Sequence, residues 1–337
     1  METNQNSLQT STLHNEFFKD EVAAKSTNFQ HLKSEVKKVI VGQEQTVEFI
    51  LIGLLCDGHI LLEGVPGVAK TTIIKTITDI LGLSFKRIQF TPDLLPSDLI
   101  GTLIYNQKTS EFETKKGPIF ANLVLADEIN RAPAKVQAAL LEVMQEHQVT
   151  IGNQTFTLEQ PFLVLATQNP IEHEGTYRLP EAQVDRFMFK VVVHYPTFEQ
   201  EKEIIKLAFE KVSLVKILTR EDILLAQAMV KQIYCDELVS DYIVRLVDAT
   251  RNPEKYGLAK FKQYIVYGAS PRATLALHHA CRAYAFLRKR HFVTPEDVKA
   301  VCPAVLRHRI MTSFEADAEN ISSDFLIKKI LDTVPTP

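Results

Sequence analysis

Along the first part of the chain, short apolar runs alternate with stretches whose apolar residues recur every three or four positions. Ile60-Leu61-Leu62, Phe85 to Phe90, Leu123-Val124-Leu125-Ala126, Phe162 to Thr167 and Val191-Val192-Val193 are short, bounded by turn residues, and predict strands. Phe29 to Ile40, Thr46 to Leu55, Ile73 to Leu81 and Pro133 to Glu146 carry the helical period. Strands alternating with helices predict an α/β domain built on a parallel sheet covered on both faces. Beyond Thr197 only the helical period survives, in Glu199 to Phe209, Glu221 to Tyr234, Glu237 to Arg251, Ser270 to Leu287 and Pro295 to His308. A small all-α domain is expected there. Two polar interruptions read as hairpins: Asp98 to Pro118, bracketed by Gly101 and Gly117-Pro118, and Val149 to Thr157, folded back at Gly152-Asn153.

The expected division is a mobile arm over 1–25, an α/β core over 26–196 closed by Pro196, and the helical domain over 197–337. Asn, Gln, Ser and Thr dominate the arm, and a short helix docked through Phe17 and Phe18 is the alternative. At 337 residues and 45% hydrophobic, two cored domains are affordable. A net charge of -3 predicts no strong field, so no nucleic-acid partner is expected. Arg288-Lys289-Arg290-His291 and Arg307-His308-Arg309 are basic, but at helix ends they suit the dipole or solvent. Asp57 and His59 break the apolar run from Phe49 to Leu62, so no membrane span is expected, and Met1 to Asp20 lacks the pattern of a signal peptide. Cys56, Cys235, Cys281 and Cys302 show no C-x-x-C spacing, which points to reduced thiols in a cytoplasmic protein.

The chemistry starts at Gly64-Val65-Pro66-Gly67-Val68-Ala69-Lys70-Thr71-Thr72, between the first strand and a helix. Glycines let successive amides turn toward an anion, and the helix N-terminus adds partial positive charge. Lys70 would reach β- and γ-phosphates, and the Thr71 hydroxyl would ligate Mg2+. Ala69 stands where the G-x-x-x-x-G-K-[ST] pattern has its last glycine. That position is expected to open the helix with a right-handed backbone that accepts a methyl group. Val41-Gly42-Gln43, between two helices, is the candidate lining of an adenine pocket. Leu123 to Ala126 ends in Asp127-Glu128, carboxylates where open α/β sheets keep their sites. Asp127 would hold Mg2+ and Glu128 would polarise the attacking water. Asn169, ending the next strand, would hydrogen-bond that water or the γ-phosphate, or else cap the turn before Pro170. Arg131, Arg178, Arg186 and Arg272 are candidates to compensate transferring charge. Arg186 would enter a neighbour's site or pair with Asp185 or Glu181; Arg272 would reach back from the second domain or sit on its surface.

Together GVPGVAKT (Gly64 to Thr71), LADEINR (Leu125 to Arg131), ATQNP (Ala166 to Pro170), EGTYRLPEAQVDRF (Glu174 to Phe187) and GASPRA (Gly268 to Ala273) resemble the MoxR family of AAA+ ATPases from about Val36 onward. The resemblance implies Walker A and Walker B roles for the loop and for Asp127 and Glu128. It further implies sensor 1 for Asn169, an arginine finger for Arg186 and sensor 2 for Arg272. The two hairpins would be the helix-2 insert and the pre-sensor-1 insert, and the helical domain the lid. The family also implies rings, usually hexamers, that use ATP and Mg2+ to remodel protein clients, often with a von Willebrand factor A domain partner. Two other readings remain: a magnesium-chelatase-like motor subunit for metal insertion, and a nucleotide-binding regulatory module with little turnover.

Overall fold

The computed structural model describes residues 2–170, 177, 179–207 and 212–337, and among these it describes side chains from residue 16 onward. One compact unit is Glu35–Leu224; the other joins the chain ahead of Glu35 to Leu225–Pro337. The chain opens with a long helix, α1 (Glu2–Lys37), which replaces the expected mobile arm over 1–25. From Val22 onward the helix is anchored by a buried stripe. Val22, Ser26, Phe29, Leu32 and Val36, spaced three or four apart, are all buried. Phe29 meets Phe286 edge to face at 5.6 Å, and Gln30 Nε2 donates to the Leu287 carbonyl at 2.5 Å.

The α/β unit then runs through α2 (Glu44–Cys56), β1 (Ile60–Glu63), α3 (Lys70–Leu81) and β2 (Phe85–Gln89). A one-turn helix, α4 (Pro96–Ile100), leads into the first hairpin, β3 (Gly101–Asn106) and β4 (Glu111–Lys116). After β5 (Leu123–Asp127) and α5 (Ala134–Glu146) comes the second hairpin, β6 (Gln148–Ile151) and β7 (Gln154–Thr157), and then β8 (Leu163–Gln168). The short α6 (Glu181–Val184), β9 (Phe189–Val192), α7 (Phe198–Leu207) and the start of α8 (Arg220–Gln232) complete it. Among the described residues the main sheet has five strands in the order β2-β5-β8-β1-β9, all parallel. Leu61, Val124, Ala126, Val164 and Ala166 pack on one face with Val136, Leu140 and Leu141 of α5. Ile60, Leu62, Leu123, Leu125 and Leu165 alternate with them and are equally buried, so both faces are covered.

The α/β unit extends past Pro196, the expected end of the core at 196. Ile217 N–H donates to the Ile80 carbonyl at 3.2 Å, and Arg220 bonds the Gln160 carbonyl and pairs with Glu159 at 2.5 Å. These bonds hold the chain ahead of Leu225 against the sheet unit. The helical unit continues with α9 (Glu237–Arg251), β10 (Ile265–Tyr267), α10 (Pro271–Leu287), α11 (Pro295–Leu306), β11 (Met311–Thr312), α12 (Phe314–Ala318) and α13 (Ser323–Thr333). Its core holds Tyr242, Leu246, Leu277, Phe286, Val298 and Val305. The expectation of helices alone is corrected by an antiparallel ribbon, in which Ile265 of β10 faces Thr312 of β11. Among the described residues no helix is long and apolar enough to cross a membrane.

Asp297 shows how the helical unit handles buried charge. Its carboxylate is 2% exposed, pairs with Arg290, and accepts the Thr294 N–H at 2.8 Å to cap α11. Removing one partner of a buried pair costs about 3 kcal/mol, and losing the cap about 1 more. Asp297→Ala is therefore expected to lower unfolding free energy by about 3 kcal/mol or more in urea titration. A loss below about 1 kcal/mol would mean that the pair and cap contribute little.

Candidate nucleotide-binding site

The parallel register brings four strand ends to one edge. Gln89 pairs with Asp127 and Glu63 with Gln168, so the residues that follow each strand emerge together. Gly64 N–H donates to the Gln168 carbonyl at 3.2 Å, and the chain then loops over to the N-terminus of α3. Gly67 turns this loop with φ of +87°, a conformation that glycine enters without steric penalty. Ala69 has φ of +59° and ψ of 18°. The expected right-handed start of the helix is thus overturned: the residue before Lys70 is left-handed, as a glycine would be, and strains an alanine by about 1 kcal/mol.

A cavity of about 370 Å3 opens between loop and sheet edge. Pro66, Gly67, Ala69, Lys70, Thr71 and Thr72 line it from the loop side; Arg87, Asp127, Glu128, Thr167 and Asn169 line it from the strand ends. Lys70 Nζ donates to the Gly64 carbonyl at 2.6 Å. Burial lowers the Lys70 ammonium below its usual range, with Asp127 and Glu128 opposing that shift. Asp127 Oδ2 accepts from Arg87 Nε at 3.0 Å and Nη2 at 2.5 Å, and Oδ1 accepts from Thr167 Oγ1 at 2.5 Å. Glu128 Oε2 accepts from Gln89 Nε2 at 2.7 Å and Arg131 Nη1 at 3.1 Å. Glu128 itself is left-handed, with φ of +56°, and its N–H donates to Thr167 Oγ1 at 2.8 Å. Asn169 is 8% exposed.

Other predicted residues lie elsewhere. Val65 and Val68 are not among the cavity's lining residues, and Val68 is buried. Val41 and Gly42 do not line it either, and the Gln200 amide packs over Gly42, where a Cβ would overlap it. Arg186 is exposed and donates to the Leu141 carbonyl at 3.1 Å, outside its own chain's cavity. Arg131 holds Glu128. Arg272 occupies the first turn of α10, behind the Ser270 cap, in the helical unit. Arg178 and Glu174 to Thr176 of the predicted motif lie outside the described residues.

Residues 59–189 match the model of the ATPase family associated with various cellular activities (AAA), and residues 260–330 match an AAA lid domain. The chain is 51% identical to Chaperone MoxR1 of Mycobacterium tuberculosis over 94% of its length and 84% of that protein's. It is 30% identical to Protein MoxR of Methylorubrum extorquens, covering 90% of this chain and 93% of that one. The chain belongs to the MoxR family of AAA+ ATPases. A crystal structure from Cytophaga hutchinsonii superposes with a TM-score of 0.89 at 49% identity, covering 94% of this chain and 98% of that one. The AAA+ fold of this MoxR chain is thus the expected one: a parallel sheet flanked by helices, with a helical lid.

Arg87, Gln89 and Thr167 escaped the sequence reading of this MoxR chain, although each bonds an acidic residue. The strand Phe85-Lys86-Arg87-Ile88-Gln89 lies at the edge of the sheet, where Lys86, Arg87 and Gln89 are exposed, so its polarity by itself did not mark Arg87 and Gln89 as site residues. The left-handed Ala69 carries its own test. A glycine at a right-handed helix start costs about 1 kcal/mol, whereas at left-handed φ it relieves strain. Ala69→Gly is expected to be neutral or stabilising by up to about 1 kcal/mol in thermal unfolding. A loss of about 1 kcal/mol would contradict the left-handed backbone.

Proposed function

We propose that this chain hydrolyses ATP to ADP and phosphate with Mg2+, in a ring of like subunits that remodels protein clients. The observation that carries the reading is the gathering of Lys70, Thr71, Asp127, Glu128 and Asn169 around one cavity at the strand ends. The donor set fits the metal. Thr71 hydroxyl and Asp127 carboxylate are hard oxygens, and no trio of His, Cys, Asp and Glu side chains able to hold a metal gathers among the described residues. Mg2+ suits so few protein ligands, because it keeps waters and shares substrate phosphates. Thr71 and Asp127 would hold it, and when bound it would offset the negative charge of the phosphates.

The chain's own groups would do the rest. The loop amides and the α3 N-terminus would hold the phosphates, and Lys70 would exchange the Gly64 carbonyl for phosphate oxygens. Glu128 would orient the attacking water and take its proton, with Asn169 hydrogen-bonded to that water or to the γ-phosphate. Before ligand arrives, Arg87 and Gln89 partner the two carboxylates. An exposed Arg186 outside its own cavity supports a role in a neighbour's site. Arg272 is assigned to sensing the γ-phosphate from the helical unit. Val41 and Gly42 are assigned to the adenine, and Val65, Pro66, Gly67, Val68, Ala69 and Thr72 to the phosphate loop. The name Chaperone MoxR1 of a 51% identical relative supports a protein client. A hexamer, a von Willebrand factor A domain partner and a cytoplasmic location complete the reading.

Glu128→Gln is expected to retain ATP binding while hydrolysis falls by about 10²–10⁴. Equilibrium binding with a fluorescent ATP analogue, set beside phosphate release, separates the two effects. Unchanged turnover would remove Glu128 from the role. Shared sites predict a second result: hydrolysis per subunit should rise with protein concentration, and Arg186→Ala mixed in at fixed total protein should depress the rate beyond its share. A rate strictly proportional to wild-type protein would mean that each subunit acts alone. Tight ATP binding without turnover at any concentration would instead favour the regulatory module.

A further inference from the structure

Outside the cavity, one buried side chain of α5 joins stretches of backbone on which two candidate site residues depend. Glu128 opens a single 3-10 turn, Ile129–Arg131, and Ile129, Asn130 and Ala132 are all buried. Carbonyls buried in this way need donors. Gln137, fully buried in the first turn of α5, supplies them, since its Nε2 donates at 3.1 Å to the carbonyls of Ile129, Ala132 and Tyr177 alike. Tyr177 in turn donates its N–H to the Asn130 carbonyl at 2.6 Å. Both backbone groups of Tyr177 are therefore held by the stretch after Glu128, one directly and one through Gln137. Tyr177 stands in the chain between Asn169 and Arg186.

The amide of Gln137 can face only one way. Two N–H hydrogens are shared among three carbonyls, whereas the amide oxygen in the same place would be repelled by all of them. The oxygen has to point elsewhere, and neither Gln137 Oε1 nor Asn130 Oδ1 has a hydrogen-bond partner among the described residues, although both are buried. An unpaired buried oxygen offsets part of what the three bonds contribute to stability. Val136, Leu140 and Leu141 show what α5 otherwise places in the core, namely apolar side chains without that cost. What the polar side chain adds is a fixed geometry between two segments that the sheet does not join.

We propose that Gln137 is a positioning residue for the hydrolysis assigned above, an inference that rests on that reading. It locks the turn after Glu128 to Tyr177. The carboxylate that orients this chain's attacking water and the segment that leads to Arg186, the arginine offered to a neighbour, thereby keep one geometry. Gln137 does not line the cavity, so it acts on the rate and not on the nucleotide's affinity. Displacing a catalytic group by about 1 Å costs about 10²-fold in rate, which makes a buried tie next to Glu128 consequential.

Gln137→Met keeps the length of the side chain and removes its donors. In the full-length protein it is expected to bind a fluorescent ATP analogue within about twofold of wild type, while kcat for phosphate release falls by about tenfold or more. Mixed with wild type at fixed total protein, it should depress the rate beyond its share, because it disturbs Arg186 as well as Glu128. Hydrogen exchange reads the tie without turnover: the peptide spanning Tyr177 should exchange about tenfold faster in the variant. Tyr177→Pro removes the N–H that Asn130 accepts, at a residue 48% exposed, and should give the same split between binding and rate even where Gln137→Met fails to fold. Turnover by these variants within about twofold of wild type, ATP binding that falls as far as the rate, or unchanged exchange at Tyr177 overturns the proposal and leaves the hydrolysis reading standing. A depression equal to the variant's share overturns the link to Arg186. No turnover by the wild-type protein removes the hydrolysis reading and this proposal together.

Discussion

Everything at the site depends on the register that locks β5 between β2 and β8. Asp127 lies opposite Gln89, and Arg87 reaches it from the same face of β2 while Thr167 reaches it from β8. Slipping β5 by one residue would turn Asp127 to the other face and exchange Val124 with Leu125 against α5. The apolar residues on both faces forbid that slip, since each fills a covered position. Arg87 is half-exposed, so its pairing with Asp127 adds little to stability. What the pair supplies is position: a carboxylate aimed into the cavity and partnered before any cation arrives.

The same edge stores backbone strain. Ala69 and Glu128 both have positive φ, and both line the cavity. Each left-handed residue costs about 1 kcal/mol or more and persists only where its surroundings over-determine it. At Glu128 they do: Thr167 takes its N–H, its carbonyl accepts the Arg131 N–H at 2.9 Å, and Gln89 holds its carboxylate. Thr167 thereby joins two roles, bonding the Asp127 side chain and the Glu128 backbone with one hydroxyl. Adjacent acids on a straight strand would face opposite ways. The left-handed turn at Glu128 lets both side chains enter one cavity.

Much of this was legible in the residues. Leu123-Val124-Leu125-Ala126 ending in two acids has few structural solutions other than a buried strand delivering them to a sheet edge. The bonds made by Arg87, Gln89 and Thr167 were not legible, because they depend on strand order, which periodicity leaves open. Of α1, the part from Phe29 on was legible, whereas its polar beginning was hidden by its composition. The unit boundary left no mark either. The chain crosses it inside α1 and again inside α8, so neither crossing needs the glycine and serine of a linker.

The first hairpin separates what pattern predicts from what packing decides. Its strands were foreseeable from Gly101 and Gly117-Pro118, which bracket Leu103-Ile104-Tyr105 and Glu111-Phe112-Glu113. Here Leu103, Ile104, Tyr105 and Phe112 are all more than 40% exposed, so neither face is covered. A two-stranded hairpin is at best marginal by itself. Its footing makes up the difference: Gly101, at φ of +105°, lies against the Lys115 carbonyl, and Gly117 lies against the Leu99 carbonyl, so close that a Cβ at either would overlap backbone. The Tyr105–Phe112 pair, ring centroids 5.4 Å apart, then stiffens the ribbon above that footing. A larger residue at Gly117 would therefore pry the hairpin from the sheet unit, whereas polar residues on its exposed strands would leave the fold intact.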